Sequence, residues 1–122
     1  ITAALIDGAR ITRAGKKVER GITTDGYMFP LLYDGPRDLE SMWNGGRSDF
    51  VDMRSVSVSG RRIDRCRPRF MSWVLEVVML LDERVIEERE FREVVRLTGE
   101  MEGLGDFRRI FGKFDAQVEV IG

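Results

Sequence analysis

The sequence predicts an α+β fold of the ferredoxin-like, or split βαβ, type, in which an antiparallel sheet carries helices on one face. Three observations indicate it. Residues 72–81 are the most apolar stretch of the chain and have the length of a buried strand, with a buried helix as the alternative. Residues 87–101 repeat apolar side chains at helical spacing, and residues 114–121 alternate apolar and polar side chains. Strand, helix, glycine-rich loop and strand in this order make half of a ferredoxin-like unit.

The N-terminal third is predicted to hold one helix and two edge segments. Residues 1–13 place apolar side chains at helical spacing, which indicates a short amphipathic helix ending near Gly15. Residues 16–22 are polar with a weak alternation and suit an exposed edge strand or a loop. Residues 27–33 contain a proline, which cannot donate to a ladder, so they are expected to form an edge strand or a packed loop.

A surface loop and a hairpin are predicted next. The loop covers residues 34–49, in which Asp38 caps one helical turn that runs through Trp43. Residues 51–58 and 61–67 are separated by a Ser-Gly pair and are predicted to pair as an antiparallel hairpin. The helix at 87–101 is expected to end at Gly99 or Gly103. The expected core residues are Trp73, Val77, Phe91, Val95 and Val118.

Composition limits the possible functions. A chain of 122 residues is expected to form a single domain, 1–122, and its start at Ile1 in what resembles the middle of an element suggests part of a longer polypeptide lacking its N-terminal portion. The absence of histidine excludes Ser-His and Cys-His nucleophiles and histidine metal sites, so no enzyme, cofactor or metal is predicted. One cysteine fits a reducing cytoplasm, and no apolar run reaches membrane length.

An arginine-rich segment is the first candidate binding site. Five guanidinium groups fall within nine residues, and guanidinium groups suit phosphates because they donate two parallel hydrogen bonds. These residues are Arg61, Arg62, Arg65, Arg67 and Arg69. With 20 basic and 21 acidic residues in the chain, net charge gives no argument for nucleic acid, and only this clustering does. The alternative is a solvated hairpin that pairs its arginines with Asp52, Asp64 and other acids.

The glycine-rich loop at residues 103–113 is the second candidate. Its glycines allow backbone N–H groups to approach a ligand, but its spacing is not that of a P-loop. Phosphates could meet Arg108, Arg109 and Lys113, and Phe107 is either a core residue or a platform for stacking a base. The alternative for the loop is a helix C-cap that leads into the last strand.

Several strings resemble a family of uncharacterised bacteriophage and prophage proteins. Its pattern R-x-R-P-x-F-x-x-W is similar to residues 65–73, its G-[IL]-G-D-[FW]-R-P to residues 103–109, and its F-G-x-F to residues 111–114. Residues 3–10 and 33–38 also resemble that family, whereas Arg109 stands where the family usually has proline. The resemblance implies a phage protein that acts in the host cytoplasm. A more distant likeness to the RAMP-type subunits of CRISPR effector complexes, which have ferredoxin-like cores and a glycine-rich loop that contacts RNA, implies nucleic-acid binding.

The sequence therefore predicts a non-enzymatic module that binds single-stranded RNA or DNA, with the arginine hairpin and the glycine loop lining one groove. A phage structural or assembly protein that contacts a phage or host protein is the alternative. A homo-oligomer without a membrane partner is expected in either case. Binding through four or five phosphates would give a log–log salt slope of about −3.

Overall fold

A computed structural model describes residues 1–105, 108 and 110–121. Helices and small antiparallel sheets are both present, so the α+β class is confirmed. The helices are α1 (Thr2–Ala9), α2 (Gly15–Gly21), α3 (Leu39–Trp43) and α4 (Glu88–Leu97), and the strands are β1 (Ile22–Thr24), β2 (Val51–Val58), β3 (Arg61–Pro68) and β4 (Met79–Leu81). Short 3₁₀ turns cover Arg10–Thr12 and Asn44–Gly46, and a π turn covers Thr98–Glu102. None of the helices in this part of the chain is both long and apolar enough to cross a membrane.

The chain forms two compact units. Unit 1 comprises Ile1–Tyr27 and Val77–Gly122, and unit 2 comprises Met28–Glu76. Unit 1 therefore holds α1, α2, α4 and the β1–β4 pair, while unit 2 holds α3 and the β2–β3 hairpin. The expected single domain stays a prediction.

The core of unit 1 lies where α1, α2 and α4 meet the β1–β4 pair. Its buried residues are Leu5, Ala9, Ala14, Val18, Ile22, Ile86, Phe91, Val94 and Val95. The predicted core positions Phe91 and Val95 are thus confirmed, and Val118 is half-buried against them. Trp73 and Val77 were predicted wrongly, because both are only half-buried and neither belongs to this cluster.

The apolar stretch at 72–81 is not one central strand. Val74 makes an isolated bridge with Leu32 in unit 2, whereas β4 pairs with β1 in unit 1. Val74 and Leu80 are 57% and 60% exposed, so burial on both faces was also a wrong prediction. The physical reason is that the stretch crosses from one unit to the other and supplies apolar side chains to both. Density of apolar residues alone does not reveal such a division.

Residues 16–22 were predicted as an edge strand or loop, but most of them form α2. The buried positions Ala14, Val18 and Ile22 recur at helical spacing, and the charged residues between them face solvent. Lysine, glutamate and arginine are good helix formers, so their propensity and this apolar spacing act together. Gly15 begins α2 and does not end α1; the chain turns at Arg13, whose φ is 63°.

Helix α4 confirms the helical prediction at 87–101, and the π turn that follows it ends at Gly103, whose φ is 76°. Residues 114–121 lie beside this helix and the π turn, and they pair in no sheet. Phe114 N donates to the Gly99 carbonyl at 3.0 Å, and Arg92 Nη1 donates to the Val118 carbonyl at 2.7 Å. Of the alternating apolar positions, Phe114 and Val118 are half-buried, whereas Ala116 and Val120 are exposed. These two hydrogen bonds join the segment to the helical side of unit 1, where the prediction placed a neighbouring strand.

Within the described residues the strands form two separate two-stranded sheets, β1–β4 and β2–β3. The predicted single antiparallel sheet with helices on one face does not form there. Of its two key strands, residues 72–81 are divided between the two units, and residues 114–121 pair in no sheet. The ferredoxin-like arrangement is therefore not established.

Candidate nucleic-acid interface

The β2–β3 hairpin is confirmed, with β3 one residue longer than predicted. Its register runs without a bulge from the pair Val51–Pro68 to the pair Val58–Arg61. Ser59 and Gly60 form the two-residue turn, and both have positive φ, 51° and 80°. Two left-handed residues match the right-handed twist of the paired strands, which is why this turn type closes hairpins. We refer to β2, the turn and β3 together as the ribbon.

The register assigns every ribbon side chain to one of two faces, because directly opposed residues in an antiparallel pair point to the same side. One face, which we name the arginine face, carries Asp52, Arg54, Val56, Val58, Arg61, Ile63, Arg65 and Arg67. The opposite face carries Val51, Met53, Ser55, Ser57, Arg62, Asp64, Cys66 and Pro68. Across residues 51–68, all of which are described, the arginine face thus has four arginines and one acid, whereas the opposite face has one arginine and one acid.

Charge on the arginine face is compensated only at its base. Asp52 is buried and accepts from Arg54 Nε at 3.0 and 3.1 Å, and in the register it lies opposite Arg67. Arg54 in turn lies directly opposite Arg65, a pairing of like charges that destabilises a hairpin. Arg61 and Arg65 are exposed, towards the tip and in the middle of the ribbon. This half of the face is therefore a cationic surface open to solvent.

Two of the five arginines predicted in this segment do not lie on that face. Arg62 points to the opposite side, where its Nε donates to Ser55 Oγ at 3.4 Å. Arg69 lies just beyond β3, and its Nε donates to the Asp49 carbonyl at 3.0 Å. The structure thus groups Arg61, Arg65 and Arg67 with Arg54, an arginine that the sequence already places in the same hairpin.

The glycine loop contributes less than predicted to a cationic surface. Arg108 Nη2 donates to Asp7 Oδ2 at 2.9 Å, and the Arg108 side chain is 31% exposed, so its charge is already paired within unit 1. Lys113 is exposed. Phe107 and Arg109 lie outside the described residues. Since the loop belongs to unit 1 and the ribbon to unit 2, their predicted common groove stays a prediction.

Three aromatic rings hold the base of the ribbon. Phe50 immediately precedes β2 and Phe70 follows β3 by two residues, and their ring centroids are 6.2 Å apart. Tyr33 contacts both rings, at 4.6 Å from Phe70 and 5.8 Å from Phe50. The Arg37 guanidinium lies 3.8 Å from the centre of the Tyr33 ring and donates to two backbone carbonyls. The contacts bring together residues 33–38 and 65–73, two segments that are distant in sequence.

A cleft of about 620 Å³ opens beside this aromatic cluster, entirely within unit 2. Its lining includes Tyr33, Phe50 and Trp73 together with the exposed acids Asp34 and Asp49. The sequence analysis missed this site, because its residues come from three separate segments. Among the described residues, no group of three or more His, Cys, Asp or Glu side chains could hold a metal ion.

No protein-family model matches the chain, and comparisons with curated proteins and with solved structures found no match either. The resemblance to phage proteins and the likeness to RAMP-type subunits therefore stay predictions.

Proposed function

We propose that this protein binds single-stranded nucleic acid through the arginine face of the ribbon. The observation that supports it is the separation of charge by the β2–β3 register: four arginines and one acid share one face, and one arginine and one acid share the other. Guanidinium groups are weakly hydrated and donate in pairs to phosphate oxygens, so a row of them on a strand suits a phosphodiester backbone.

The local charge matters because the whole chain is nearly neutral. With a formal net charge of −1, the protein has no long-range attraction for a polyanion, and binding must come from a surface where cations are concentrated. The exposed half of the arginine face provides such a surface. Arg61 and Arg65 project from the same side of β3. Ile63 lies between them on this face and adds an exposed aliphatic side chain.

The alternative is that the ribbon makes protein–protein contacts, as in a phage structural or assembly protein. Exposed apolar side chains on the ribbon favour it, because Met53, Val58 and Ile63 are each at least two-fifths exposed. We place nucleic acid first because the arginines are concentrated on one face of the ribbon, whereas these exposed apolar residues are divided between both faces. A phage origin, a cytoplasmic location and self-association remain parts of the proposal, as does a ferredoxin-like architecture, on which the binding argument does not depend.

The test compares neighbouring arginines that lie on opposite faces. The assay is fluorescence anisotropy of a labelled single-stranded oligonucleotide with Arg61→Ala, Arg65→Ala and Arg62→Ala, each titrated at several salt concentrations. We expect Arg61→Ala and Arg65→Ala each to flatten the log–log salt slope by about 0.7, the value for one lost phosphate contact on a single strand. Arg62→Ala is the matched control and should leave the slope unchanged.

Two results would contradict the proposal. One is the absence of binding at 50 mM salt; the other is an equal effect of Arg61→Ala and Arg62→Ala, which would show that the face does not matter. Sedimentation of Ile63→Ala beside Arg65→Ala tests the alternative, since a ribbon that joins protein chains would change its association state on removal of the Ile63 side chain and not on removal of the Arg65 side chain.

A further inference from the structure

The two-residue turn determines which backbone groups of the ribbon face outwards. Its flanking pair, Val58 and Arg61, exchanges hydrogen bonds in a turn of this type, and every second pair along the ladder does the same. The hydrogen bond from Arg69 N to the Phe50 carbonyl continues this alternation at the base. The pairs in between turn their N–H and C=O groups away from the partner strand. On β2 these outward groups belong to Val51, Met53, Ser55 and Ser57.

The outer edge of β2 is open from residue 53 onwards. Val51 N already donates to the Ser48 carbonyl at 3.3 Å. No part of the described chain pairs with the outward backbone groups of Met53, Ser55 and Ser57, and all three side chains are exposed. A free edge strand is a template for pairing with another chain. Since a two-stranded ribbon is only marginally stable by itself, an added strand would stabilise it.

The other edge of the ribbon, β3, carries features that prevent such pairing. Five of its eight residues are charged and its last is a proline, and both features protect edge strands. If β3 paired antiparallel with a copy of itself, a two-fold axis at Ile63 would oppose Arg61 to Arg65. An axis at Asp64 or at Arg65 would oppose that residue to its own copy. Like charges directly opposed destabilise a strand pair, whereas β2 has only two charged residues, one of each sign.

One register of β2 with a second copy of β2 satisfies all three free positions. With a two-fold axis at Ser55, Ser55 faces its own copy, and Met53 of each chain faces Ser57 of the other. All of these pairs are hydrogen-bonded, because an antiparallel pair forms its bonds where both residues turn their backbone groups towards each other. No like charges are opposed in this register, since Arg54 faces Val56 of the other copy.

The neighbouring registers do not satisfy the same groups. An axis at Arg54 would oppose two arginines, and it would require the N–H of Val51, which is already bonded within the chain. An axis at Val56 would place Met53 opposite the turn residue Ser59, where the strand has ended. The free positions of β2 therefore fit a second β2 in the register centred on Ser55.

We propose that two copies of this chain pair through β2, antiparallel and with the two-fold axis at Ser55, into a four-stranded sheet of order β3–β2–β2–β3. Opposed residues of an antiparallel pair point to the same side, so the arginine faces of both copies join into one surface with twice the four arginines of a single ribbon. The inference goes beyond the proposed function and does not depend on it. It also differs from a protein contact through the face of the ribbon, because pairing at the edge leaves Ile63 exposed.

The first test is sedimentation equilibrium of the full chain without nucleic acid, over a concentration series, with Ser55→Pro and Asp64→Pro. Ser55 and Asp64 oppose each other in a pair that exchanges no hydrogen bonds, so either proline removes one outward N–H and no bond within the ribbon. We expect the wild type to dissociate from dimer to monomer on dilution. Ser55→Pro should raise the dissociation constant about 30-fold, which corresponds to the loss of two backbone hydrogen bonds. Asp64→Pro, the matched control on the β3 edge, should leave it unchanged.

Disulfide formation tests the register, and it decides the question if a proline disturbs the ribbon. Cys66→Ser removes the single cysteine, and Ser55→Cys and Ser57→Cys are then compared under mild oxidation. The two Ser55 Cα atoms would lie about 5.5 Å apart across the axis, within the range of a disulfide. The two Ser57 Cα atoms would be four strand positions apart, about 14 Å, which is too far. We expect a covalent dimer with Ser55→Cys and none with Ser57→Cys.

The inference is overturned if the wild type stays monomeric at every concentration, if the two folded proline variants weaken association equally, or if Ser57→Cys cross-links as readily as Ser55→Cys. Assembly beyond a dimer would overturn it as well, because a pairing with two-fold symmetry closes on itself. Failure of the proposed function is a separate outcome, since the association of the chains is measured without nucleic acid.

Discussion

A methyl group added at Gly8 should destabilise unit 1, although alanine is the better helix former. Gly8 lies in α1 against Thr98, the first residue after α4, which is fully buried. A Cβ at Gly8 would lie 2.9 Å from Thr98 Cβ and 3.0 Å from Thr98 Cα, and would overlap Thr98 Oγ1. That hydroxyl donates to the Val94 carbonyl at 2.7 Å, so it cannot turn away without leaving a buried polar group unsatisfied.

The size of the effect follows from two opposing terms. Replacing glycine by alanine within a helix contributes about 1 kcal/mol of stability. Overpacking costs about 1–3 kcal/mol, and the upper end applies here because the nearest atoms include backbone that moves only if the helices separate. We therefore expect Gly8→Ala to lower the free energy of unfolding by about 2 kcal/mol.

The assay is urea unfolding followed by two probes that report on different units. Far-UV circular dichroism follows mainly α1, α2 and α4 in unit 1, whereas both tryptophans, Trp43 and Trp73, lie in unit 2. Gly15→Ala is the matched control, since its Cβ would meet the flexible Arg10 side chain at 3.1 Å and the Ile6 carbonyl oxygen at an ordinary contact distance of 3.6 Å. We expect the control to stay within about 0.5 kcal/mol of the wild type or above it. Equal stability of the two variants would refute the close approach of α1 to Thr98.

Three further predictions concern one residue each. Gly35→Ala should destabilise unit 2 by about 1–3 kcal/mol, measured by tryptophan fluorescence, because Gly35 has φ 153° and its Cβ would collide with the Phe50 ring. Phe91→Ala should cost about 3–5 kcal/mol by circular dichroism, since Phe91 is buried in the core of unit 1. The backbone N–H of Ser41 lowers the pKa of Asp38 below its ordinary 3.8, so the cap stabilises α3 above that pH and is lost as pH falls through the lower folded value. The difference in stability between wild type and Asp38→Asn should therefore vary with pH only in that acidic range.

Local signals in the sequence predicted the elements that local physics determines. The capped turn at Asp38 is confirmed by its hydrogen bond from Ser41 N at 2.9 Å, and helix α4 follows its apolar spacing. The hairpin followed from the Ser-Gly turn between two strands of matching length. Each of these depends on residues within one turn or one pair of strands, so a single stretch of sequence contains the whole argument.

The wrong predictions share a different cause. Residues 72–81 divide between two units, and residues 114–121 meet a helix where a strand was expected, so both depend on partners distant in sequence. Helix α2 was missed because its buried positions are few and its charged residues suggested an exposed segment. The cleft could not be predicted at all, since Tyr33, Phe50 and Trp73 meet only after the chain has folded.

The clustering of arginines on one face of the ribbon destabilises the free protein, and this destabilisation predicts how a bound polyanion changes its stability. Arg54 and Arg65 oppose each other directly, and an isolated two-stranded ribbon has little stability to spare for such repulsion. Asp52 pairs with Arg54 at the base, which leaves Arg61 and Arg65 exposed with no acid opposite them on this face. A bound polyanion would reverse the sign of this contribution, because each phosphate between two guanidinium groups replaces a repulsion by two attractions. We therefore expect a single-stranded oligonucleotide to raise the unfolding midpoint of unit 2 at low salt, an effect that Arg65→Ala diminishes and Arg62→Ala does not.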